Sequence, residues 1–324
     1  MAGNRRQRRQ HLMMPAALAL ACLTLILGPP AGAVPQGGYA GPAVLLQAEE
    51  LKALLDQGDP NLRIIDFRHQ AKYYLGHIPG AIQIWRPEMP DQKRPWPGLP
   101  VPRAQIEKLL GRRGIAARHT IVIYSDQCDH THLWWVLAHY GFPLERLKLL
   151  DGGLEAWKRK GYPTQLTSPR LKTTTFKFPA EPRSTLLATL NDVKAALSAP
   201  GKVIVDVRPQ EQYLGDKTTE GAARRGHIPG AVSIPVKEAR VPQGPDKGCW
   251  QSAAEIRKIY ADRGITPDLD VYIYSHTDLC ATYTLVSLYL AGYPLEKLHV
   301  YAGSWVEWSR SKEPVATGPS GPAK

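Results

Sequence analysis

The hexapeptide GHIPGA decides the fold, because it occurs twice, at residues 76–81 and again at residues 226–231. Each copy follows an apolar stretch that ends in Asp-x-Arg: LRIIDFR at residues 62–68 and KVIVDVR at residues 202–208. Two motifs that recur in the same order and at similar spacing indicate that the chain is an internal repeat. The sequence therefore predicts two domains of the same fold.

The repeat continues beyond the hexapeptide. GFPLE at residues 141–145 recurs as GYPLE at residues 292–296. The second copy has ten more residues than the first between its Asp-x-Arg sequence and its GHIPGA sequence, around residues 215–224. Because an insertion of this kind is tolerated best outside the core, we expect it to lie on the surface.

Short apolar segments alternate with amphipathic ones in both copies, as in IEKLL at residues 106–110 and EIRKI at residues 255–259. Strands of continuous apolar character that alternate with helices are typical of a parallel sheet covered on both faces. The fold class predicted is α/β, with two tandem domains that each contain a parallel sheet with helices on both faces. The predicted boundaries are residues 44–165 for the first domain, 166–183 for a linker, 184–313 for the second domain and 314–324 for a flexible tail.

The first 33 residues have the pattern of a signal peptide. Four arginines lie within residues 5–9, an apolar run covers residues 12–27, and small residues lead to Ala33. This order of basic, apolar and small residues predicts export and cleavage after Ala33. We expect a periplasmic or extracellular protein, which would touch a membrane only through an uncleaved N-terminus or one lipidated at Cys22.

The composition narrows the choice of partners. The chain has a formal net charge of +12, and removal of residues 1–33 with their four arginines leaves +8. A positive net charge favours small anions, whereas the scattered basic pairs do not form the continuous basic tract expected for nucleic-acid binding. Three cysteines remain after processing, Cys128, Cys249 and Cys280. Because the number is odd, at least one thiol stays free or pairs between molecules.

The repeated motifs, together with YAGSWVEW at residues 301–308, make the chain similar to the two-domain rhodanese family, the thiosulfate and mercaptopyruvate sulfurtransferases. The resemblance covers residues 44–311. It implies persulfide chemistry without a cofactor, a small sulfur-containing anion as donor, and a thiol or a partner protein as acceptor. It also implies that Arg208 holds the donor anion.

In that family a loop after the central strand begins with the nucleophilic Cys and directs its backbone N–H groups at the sulfur. By resemblance the loop is the segment after Tyr274, and its anion-binding residues are His276, Thr277, Asp278 and Leu279. The family's Cys corresponds to Ser275 in the second copy and to Ser125 in the first. Because an alcohol is not appreciably ionised at neutral pH, we expect no persulfide on Ser275.

The remaining thiols are the candidates for this chemistry. Cys280 follows Ser275 by five residues and lies near the expected start of a helix, where the pKa of a thiol can be lowered. It is the first candidate for a relocated nucleophile, although a buried packing role is the more common one for such a Cys. Cys128, three residues after Ser125, is the weaker candidate.

Other interpretations of the two loops stay open. Cys128, His130 and His132 could form a metal site, although their spacing matches no standard ligand pattern. Ser275, with His276 and Asp278, could be a hydrolase set, although three residues within one tight loop rarely reach the needed geometry.

A disulfide between Cys249 and Cys280 is a further hypothesis, since sequence alone does not give the separation of the two thiols. His77 and His227, within the GHIPGA sequences, are expected to orient their loops through hydrogen bonds. The function predicted is sulfurtransferase-type handling of sulfane sulfur with non-standard or lost persulfide chemistry. The alternative is a non-catalytic anion-binding or protein-docking module on the same fold.

Overall fold

The computed structural model describes residues 38–40, 44–89, 95–244 and 247–319. The predicted signal peptide, with its four arginines and Cys22, lies outside these residues. Within the described part of the chain, no helix combines the length and the apolar character needed to cross a membrane.

The first domain contains a five-stranded parallel sheet. Its strands are β1 (Leu45–Leu46), β2 (Leu62–Asp66), β3 (Ile82–Gln83), β4 (Thr120–Tyr124) and β5 (Leu147–Leu150), in the spatial order β1-β5-β4-β2-β3. Its helices are α1 (Ala48–Gln57), α2 (Gln70–Tyr74), α3 (Arg103–Arg112), α4 (Asp129–His139) and α5 (Gly153–Arg159).

The second domain repeats this arrangement, with the sheet order β6-β10-β9-β7-β8. Its strands are β6 (Leu187–Ala188), β7 (Lys202–Asp206), β8 (Val232–Ser233), β9 (Asp270–Tyr274) and β10 (Leu298–Tyr301). Its helices are α6 (Leu190–Ala196), α7 (Gln210–Leu214), α8 (Ala253–Ala261), α9 (Leu279–Leu290) and α10 (Ser304–Trp308). The predicted fold class, two tandem α/β domains with parallel sheets, is confirmed.

The two faces of each sheet are covered differently. In the first sheet Ile64 and Val122 point to a cluster completed by α1 and α5, whereas Ile65 and Ile123 point to the face covered by α4. The cluster on the α4 face continues through Leu285 of α9 to the inner face of the second sheet. Because side chains alternate along a strand, one continuous apolar core joins the domains while each outer face keeps a core of its own.

A buried polar network explains why the repeated motifs recur. The Asp66 carboxylate accepts hydrogen bonds from Arg68 Nε at 2.9 Å and from the Tyr124 hydroxyl at 2.6 Å, and Arg68 Nη2 donates to the Gly76 carbonyl at 2.8 Å. The second domain builds the same network from Asp206, Arg208, Tyr274 and Gly226. The network thus ties the ends of the two central strands to the turn that contains GHIPGA.

The histidines of the two GHIPGA sequences are fully buried. The His77 ring stacks on Tyr73, with centroids 3.8 Å apart, and its Nδ1 lies 3.0 Å from the Tyr73 carbonyl oxygen. The His227 ring has the same relation to Tyr213, with centroids 3.7 Å apart. Both histidines therefore connect their turns to the preceding short helix, and their hydrogen bonds orient the backbone.

The segment predicted as a linker, residues 166–183, packs against the first domain. Phe176 and Phe178 are buried, and the Thr174 N–H donates to the Gly111 carbonyl of α3 at 2.9 Å. The segment is therefore attached along its length rather than a free connector.

The flexible tail predicted from residue 314 is not what residues 314–319 show. Ala316 forms a backbone bridge with His227, and the Gly318 N–H donates to the Leu214 carbonyl at 2.9 Å. The prediction rested on Gly and Pro content, which does not reveal that the backbone pairs with an edge of the domain.

Replacement of Arg208 by Met would leave the Asp206 carboxylate buried without its cation. We expect the free energy of unfolding to fall by about 3–5 kcal/mol, the usual effect of breaking a buried pair by removal of one partner. Urea denaturation measures the change. Lys258→Met is the control, because its ion pair with Asp262 is exposed and should contribute less than about 1 kcal/mol. Equal losses in the two variants would contradict a structural role for the buried pair.

Candidate active site

The two candidate loops occupy equivalent places. Residues 125–128 follow the central strand β4 and lead into α4, and residues 275–278 follow β9 and lead into α9. In open α/β sheets ligands bind at the carboxyl ends of the strands, where both loops lie. Counted from the ends of their strands, Cys128 corresponds to Asp278 and His130 corresponds to Cys280.

The second loop, which contains Ser275, is enclosed by the first domain. Ser275 is 4% exposed, and its carbonyl accepts a hydrogen bond from the Trp305 N–H at 3.0 Å. Gly98 of the first domain lies against the carbonyl oxygens of Thr277 and Ala302, and a Cβ at Gly98 would come within 2.5 Å of the Thr277 oxygen. Gly98 therefore packs against the backbone of the second loop two residues after Ser275.

The insertion of residues 215–224 covers the same loop from another side. His276 Nε2 donates to the Glu220 carbonyl at 2.8 Å, and burial lowers the pKa of His276. The Asp278 carboxylate is bonded to His132 of α4 rather than to His276. The hydrolase set of Ser275, His276 and Asp278 considered above is therefore not assembled.

The residues predicted to bind an anion have other partners. The Arg208 guanidinium is 3% exposed, paired with Asp206, and 4.4 Å from the Trp305 ring centroid. Asp278 is fully buried between His132 and Arg86, whose Nη2 lies 3.8 Å from the carboxylate. A buried carboxylate at the loop and an already neutralised Arg leave little attraction for an anion, so these contacts argue against binding there.

Leu279 and Thr277 complete the predicted anion-binding set. Both are half-buried, Leu279 is the first residue of α9, and its carbonyl accepts the Thr282 hydroxyl at 2.8 Å. Thr277 is covered by Gly98. Neither contact opens the loop to a ligand.

The two candidate thiols meet between the domains. Cys128 is the N-cap residue of α4, Cys280 lies in the first turn of α9, and their thiols are hydrogen-bonded to each other. The adjacent Thr131 and Thr282 hydroxyl oxygens are 2.9 Å apart. Residues 152 positions apart in sequence thus form one dithiol at the place where α4 and α9 begin.

Arg240 of the second domain lies beside this dithiol. Its guanidinium stands over the Tyr283 ring at 4.6 Å from the centroid, and its positive charge acts on both thiols. A backbone bridge between Arg240 and Trp250 fixes the segment that carries it. Within the described residues Arg240 has no carboxylate partner, and its Nε has no hydrogen-bond partner. Its charge is therefore available to a thiolate or to a bound anion.

The pKa directions reverse the order of the two candidate nucleophiles. A hydrogen bond from Cys280 and the charge of Arg240 lower the pKa of the Cys128 thiol against the opposing effect of burial. The same hydrogen bond and burial raise the pKa of Cys280, which keeps its proton. These directions favour Cys128 over Cys280, which is the opposite of the order expected from the helix start. The contact with Cys128 is the largest of the causes that raise the pKa of Cys280.

A cavity of about 480 Å³ lies beside the first loop. It extends from Ser125 and His130 of the first domain to Arg240 of the second, and Arg159 and Lys247 add two further cations to its wall. Burial, followed by the charge of Arg240, lowers the pKa of His130 to about 3, so this ring is neutral at physiological pH. The cavity walls thus present an excess of positive charge suited to a small anion.

The proposed metal site at Cys128, His130 and His132 is not formed. His130 Nδ1 bonds the Gln127 carbonyl at 2.7 Å, while His132 Nδ1 bonds Asp278 across the domain boundary. In the portion of the chain that the structure describes, no group of three or more His, Cys, Asp or Glu side chains is arranged to hold a metal ion.

Cys249 has different neighbours from Cys280. Its sulfur lies 3.7 Å from Arg159 Nη2 and is hydrogen-bonded to the Asp151 carboxylate. None of the three described cysteines forms a disulfide. The hypothesis of a Cys249–Cys280 disulfide therefore fails, because the thiol neighbour of Cys280 is Cys128.

Replacement of Gly98 by Ala would drive a methyl group into the carbonyl oxygens that enclose the second loop. Overpacking of this kind costs about 1–3 kcal/mol, and the strain is relieved by displacement of residues 95–100. We expect faster amide hydrogen exchange in residues 275–279, measured by mass spectrometry. Residues 125–128 of the same protein are the internal control, and their exchange should not change. Unaltered exchange at residues 275–279 would show that Gly98 does not close the loop.

Comparison with known proteins places this geometry in a family. The sequence profile of the rhodanese-like domain matches residues 47–160 and 189–311. The chain is 32% identical over 303 residues to the sulfur carrier protein TtuD of Thermus thermophilus, which covers 87% of this chain and 99% of the relative. It is 29% identical over 298 residues to a thiosulfate sulfurtransferase of Corynebacterium glutamicum, with 86% and 92% of the two chains covered.

Solved structures share the fold. An anaerobic ergothioneine biosynthesis enzyme from Chlorobium limicola superposes with a TM-score of 0.74 at 23% identity and covers 87% of this chain and 72% of its own. YnjE superposes with a TM-score of 0.74 at 24% identity and covers 88% and 70% of the two chains. The profile matches cover both domains, and the relatives cover most of the chain. On these grounds the chain belongs to the rhodanese family.

Proposed function

We propose that this protein is a sulfurtransferase-type carrier that holds sulfane sulfur on Cys128. The observation that carries the proposal is the thiol of Cys128 at the start of α4, in contact with the protonated Cys280 and with Arg240. A thiolate is the form that attacks sulfur and later leaves, and both neighbours stabilise it. The relatives named sulfur carrier and thiosulfate sulfurtransferase support the same class of reaction.

The donor would be a small sulfur oxyanion such as thiosulfate, or mercaptopyruvate. Arg240, whose charge acts on the thiol pair, also lines the cavity beside the first loop together with Arg159 and Lys247, and their charges attract the anionic end of the donor. The Cys128 thiolate attacks the outer sulfur of thiosulfate, the S–S bond of thiosulfate breaks, and sulfite leaves with the bonding electron pair. The product is a Cys128 persulfide, from which an acceptor thiol or a partner protein takes the sulfur.

The reactive position then lies in the first loop, at Cys128, rather than in the second loop, at Ser275. Ser275, where relatives of this family carry their nucleophile by resemblance, is 4% exposed, and Gly98 packs against its loop at Thr277. Arg208, expected to hold the donor, is 3% exposed and paired with Asp206. The cationic cavity and the lowered thiol pKa both lie on the first-domain side instead.

We also propose that the protein acts after export. The basic, apolar and small residues of positions 1–33 support cleavage after Ala33. An oxidising compartment converts neighbouring thiols to disulfides, so an exported thiol pair stays reduced only if a thiol reductant is present there. The same reductant could serve as the acceptor of the sulfur. The intact mass of protein recovered from the cell envelope tests this proposal, because cleavage after Ala33 removes the mass of residues 1–33.

Intact-mass spectrometry tests the function. Cys280→Ser, in which no neighbouring thiol can displace the added sulfur, should gain the mass of one sulfur atom on incubation with thiosulfate or with mercaptopyruvate, and an added thiol should remove it. The gain should survive the further change Cys249→Ser but disappear with the further change Cys128→Ser, because Cys128 is the thiol whose pKa is lowered. The Cys249 variant is the matched control, since its thiol lies beside Arg159 outside the pair.

Two results would contradict the proposal. A sulfur gain that survives Cys128→Ser would place the nucleophile elsewhere. No gain with either donor in any variant, while thiosulfate still binds and raises the unfolding temperature, would identify the protein as the non-catalytic anion-binding alternative.

A further inference from the structure

The starts of α4 and α9 are joined by side chains, which fixes Cys128 and Cys280 in relation to each other. The Thr131 hydroxyl donates to the Cys128 carbonyl at 2.6 Å, and its oxygen lies 2.9 Å from that of Thr282. One turn away, His132 bonds the buried Asp278 carboxylate. Because two cross-domain contacts flank the thiols, their approach is set by the packing of two rigid helices rather than by a mobile loop.

The pair has no other evident purpose in the packing. Both cysteines are only partly buried at the margin of the shared core, and neither of these two described thiols forms a disulfide. In an exported protein two neighbouring thiols are readily oxidised to a disulfide, because the compartment is oxidising. If Cys128 carries sulfur, its neighbour Cys280 is placed to act on that sulfur.

We propose that Cys280 is a resolving thiol that discharges the Cys128 persulfide within the same chain as hydrosulfide. This inference rests on the proposed function of Cys128 and names its second step. The protein would then be a reductive sulfur-releasing enzyme, and a small dithiol or a dithiol protein would be its reducing co-substrate.

The step balances as an intramolecular thiol exchange. The Cys280 sulfur attacks the inner sulfur of the Cys128 persulfide and forms the Cys128–Cys280 disulfide. The bond between the inner and outer sulfur breaks, the outer sulfur leaves with the electron pair, and it takes the proton that Cys280 gives up, so that HS⁻ is released. The external dithiol then reduces the disulfide by thiol–disulfide exchange and restores both thiols while it becomes oxidised itself.

Arg240 suits this second step as well as the first. Its guanidinium stands beside both sulfur atoms and has no carboxylate partner among the described residues. A cation at this point stabilises the negative charge on the leaving hydrosulfide. The half-buried position of the pair excludes most bulk thiols, which favours the intramolecular attack over attack by an outside thiol.

The experiment uses the full mature chain, reduced, freed of reductant and mixed with one equivalent of thiosulfate. The unmodified protein should release one hydrosulfide per chain, trapped with a bimane reagent, lose the mass of two hydrogen atoms and yield a peptide cross-linked through Cys128 and Cys280. Cys280→Ser should keep the added sulfur and release hydrosulfide only after an external thiol is added. Serine preserves the hydrogen bond to Cys128 but is unable to form a disulfide. Cys249→Ser should behave as the unmodified protein does.

The outcomes separate the two proposals. An added sulfur that stays on Cys128 in the unmodified protein, with Cys280 still free, overturns the resolving role and leaves the carrier function intact. Absence of added sulfur in Cys280→Ser overturns the carrier function and the resolving role with it.

A second arm is independent of the donor. In a glutathione redox buffer the reduced protein should form the Cys128–Cys280 disulfide in preference to mixed disulfides at either residue. Mixed disulfides alone at Cys128 and Cys280 would show that the two thiols do not come within bonding distance, and would overturn the proposal.

Discussion

The buried pair of an Asp carboxylate and an Arg guanidinium, built once in each domain, is the interaction on which the rest of the structure depends. Asp66 and Asp206 are fully buried, so each carboxylate needs a cation and hydrogen-bond donors. Arg68 and Arg208 supply the cation, and the Tyr at the end of each central strand supplies a further donor. The pair therefore fixes the point from which each site loop departs.

From two equivalent starting points the loops diverge in chemistry. Each domain extends an Arg from the segment after its edge strand toward the loop of the other domain. Arg86 meets the carboxylate of Asp278, whereas Arg240 meets the thiol of Cys128 at the equivalent loop position. A cation that would pair with a carboxylate favours a thiolate for the same electrostatic reason. The two domains thus place a cation beside a buried carboxylate in one loop and beside a thiol in the other.

The fold could be predicted from sequence because its signals are local and occur twice. The Asp-x-Arg and GHIPGA sequences are joined by hydrogen bonds over short stretches of chain, so their repetition implied repeated domains. The attachment of residues 314–319 was missed, because backbone pairing with an edge leaves no mark in composition.

The site was predictable only in part. The loops and both thiols could be named from sequence, but their roles depend on contacts between residues more than 100 positions apart. Sequence reasoning favoured Cys280, whereas the pKa directions favour Cys128, because the contact between the two thiols forms only when α4 packs on α9. Arg240 was missed for the same reason, since a lone Arg in an irregular segment gives no signal of the thiol it approaches. The role of anion holder was assigned to Arg208 by resemblance. The Asp-x-Arg spacing, visible in the sequence, is the spacing at which Arg208 pairs with Asp206.

The most direct test of the account is the pH dependence of alkylation at Cys128, resolved from Cys280 and Cys249 by peptide mass spectrometry. Because the thiolate is the reactive form, the rate should reach half its maximum below the ordinary thiol pKa of about 8.5. Arg240→Gln should move that midpoint to higher pH, whereas Arg86→Gln, which removes the equivalent cation beside Asp278, should leave it unchanged. A midpoint at or above the ordinary thiol pKa in the unmodified protein, or one that Arg240→Gln does not move, would contradict the assignment of Cys128 as the reactive thiol.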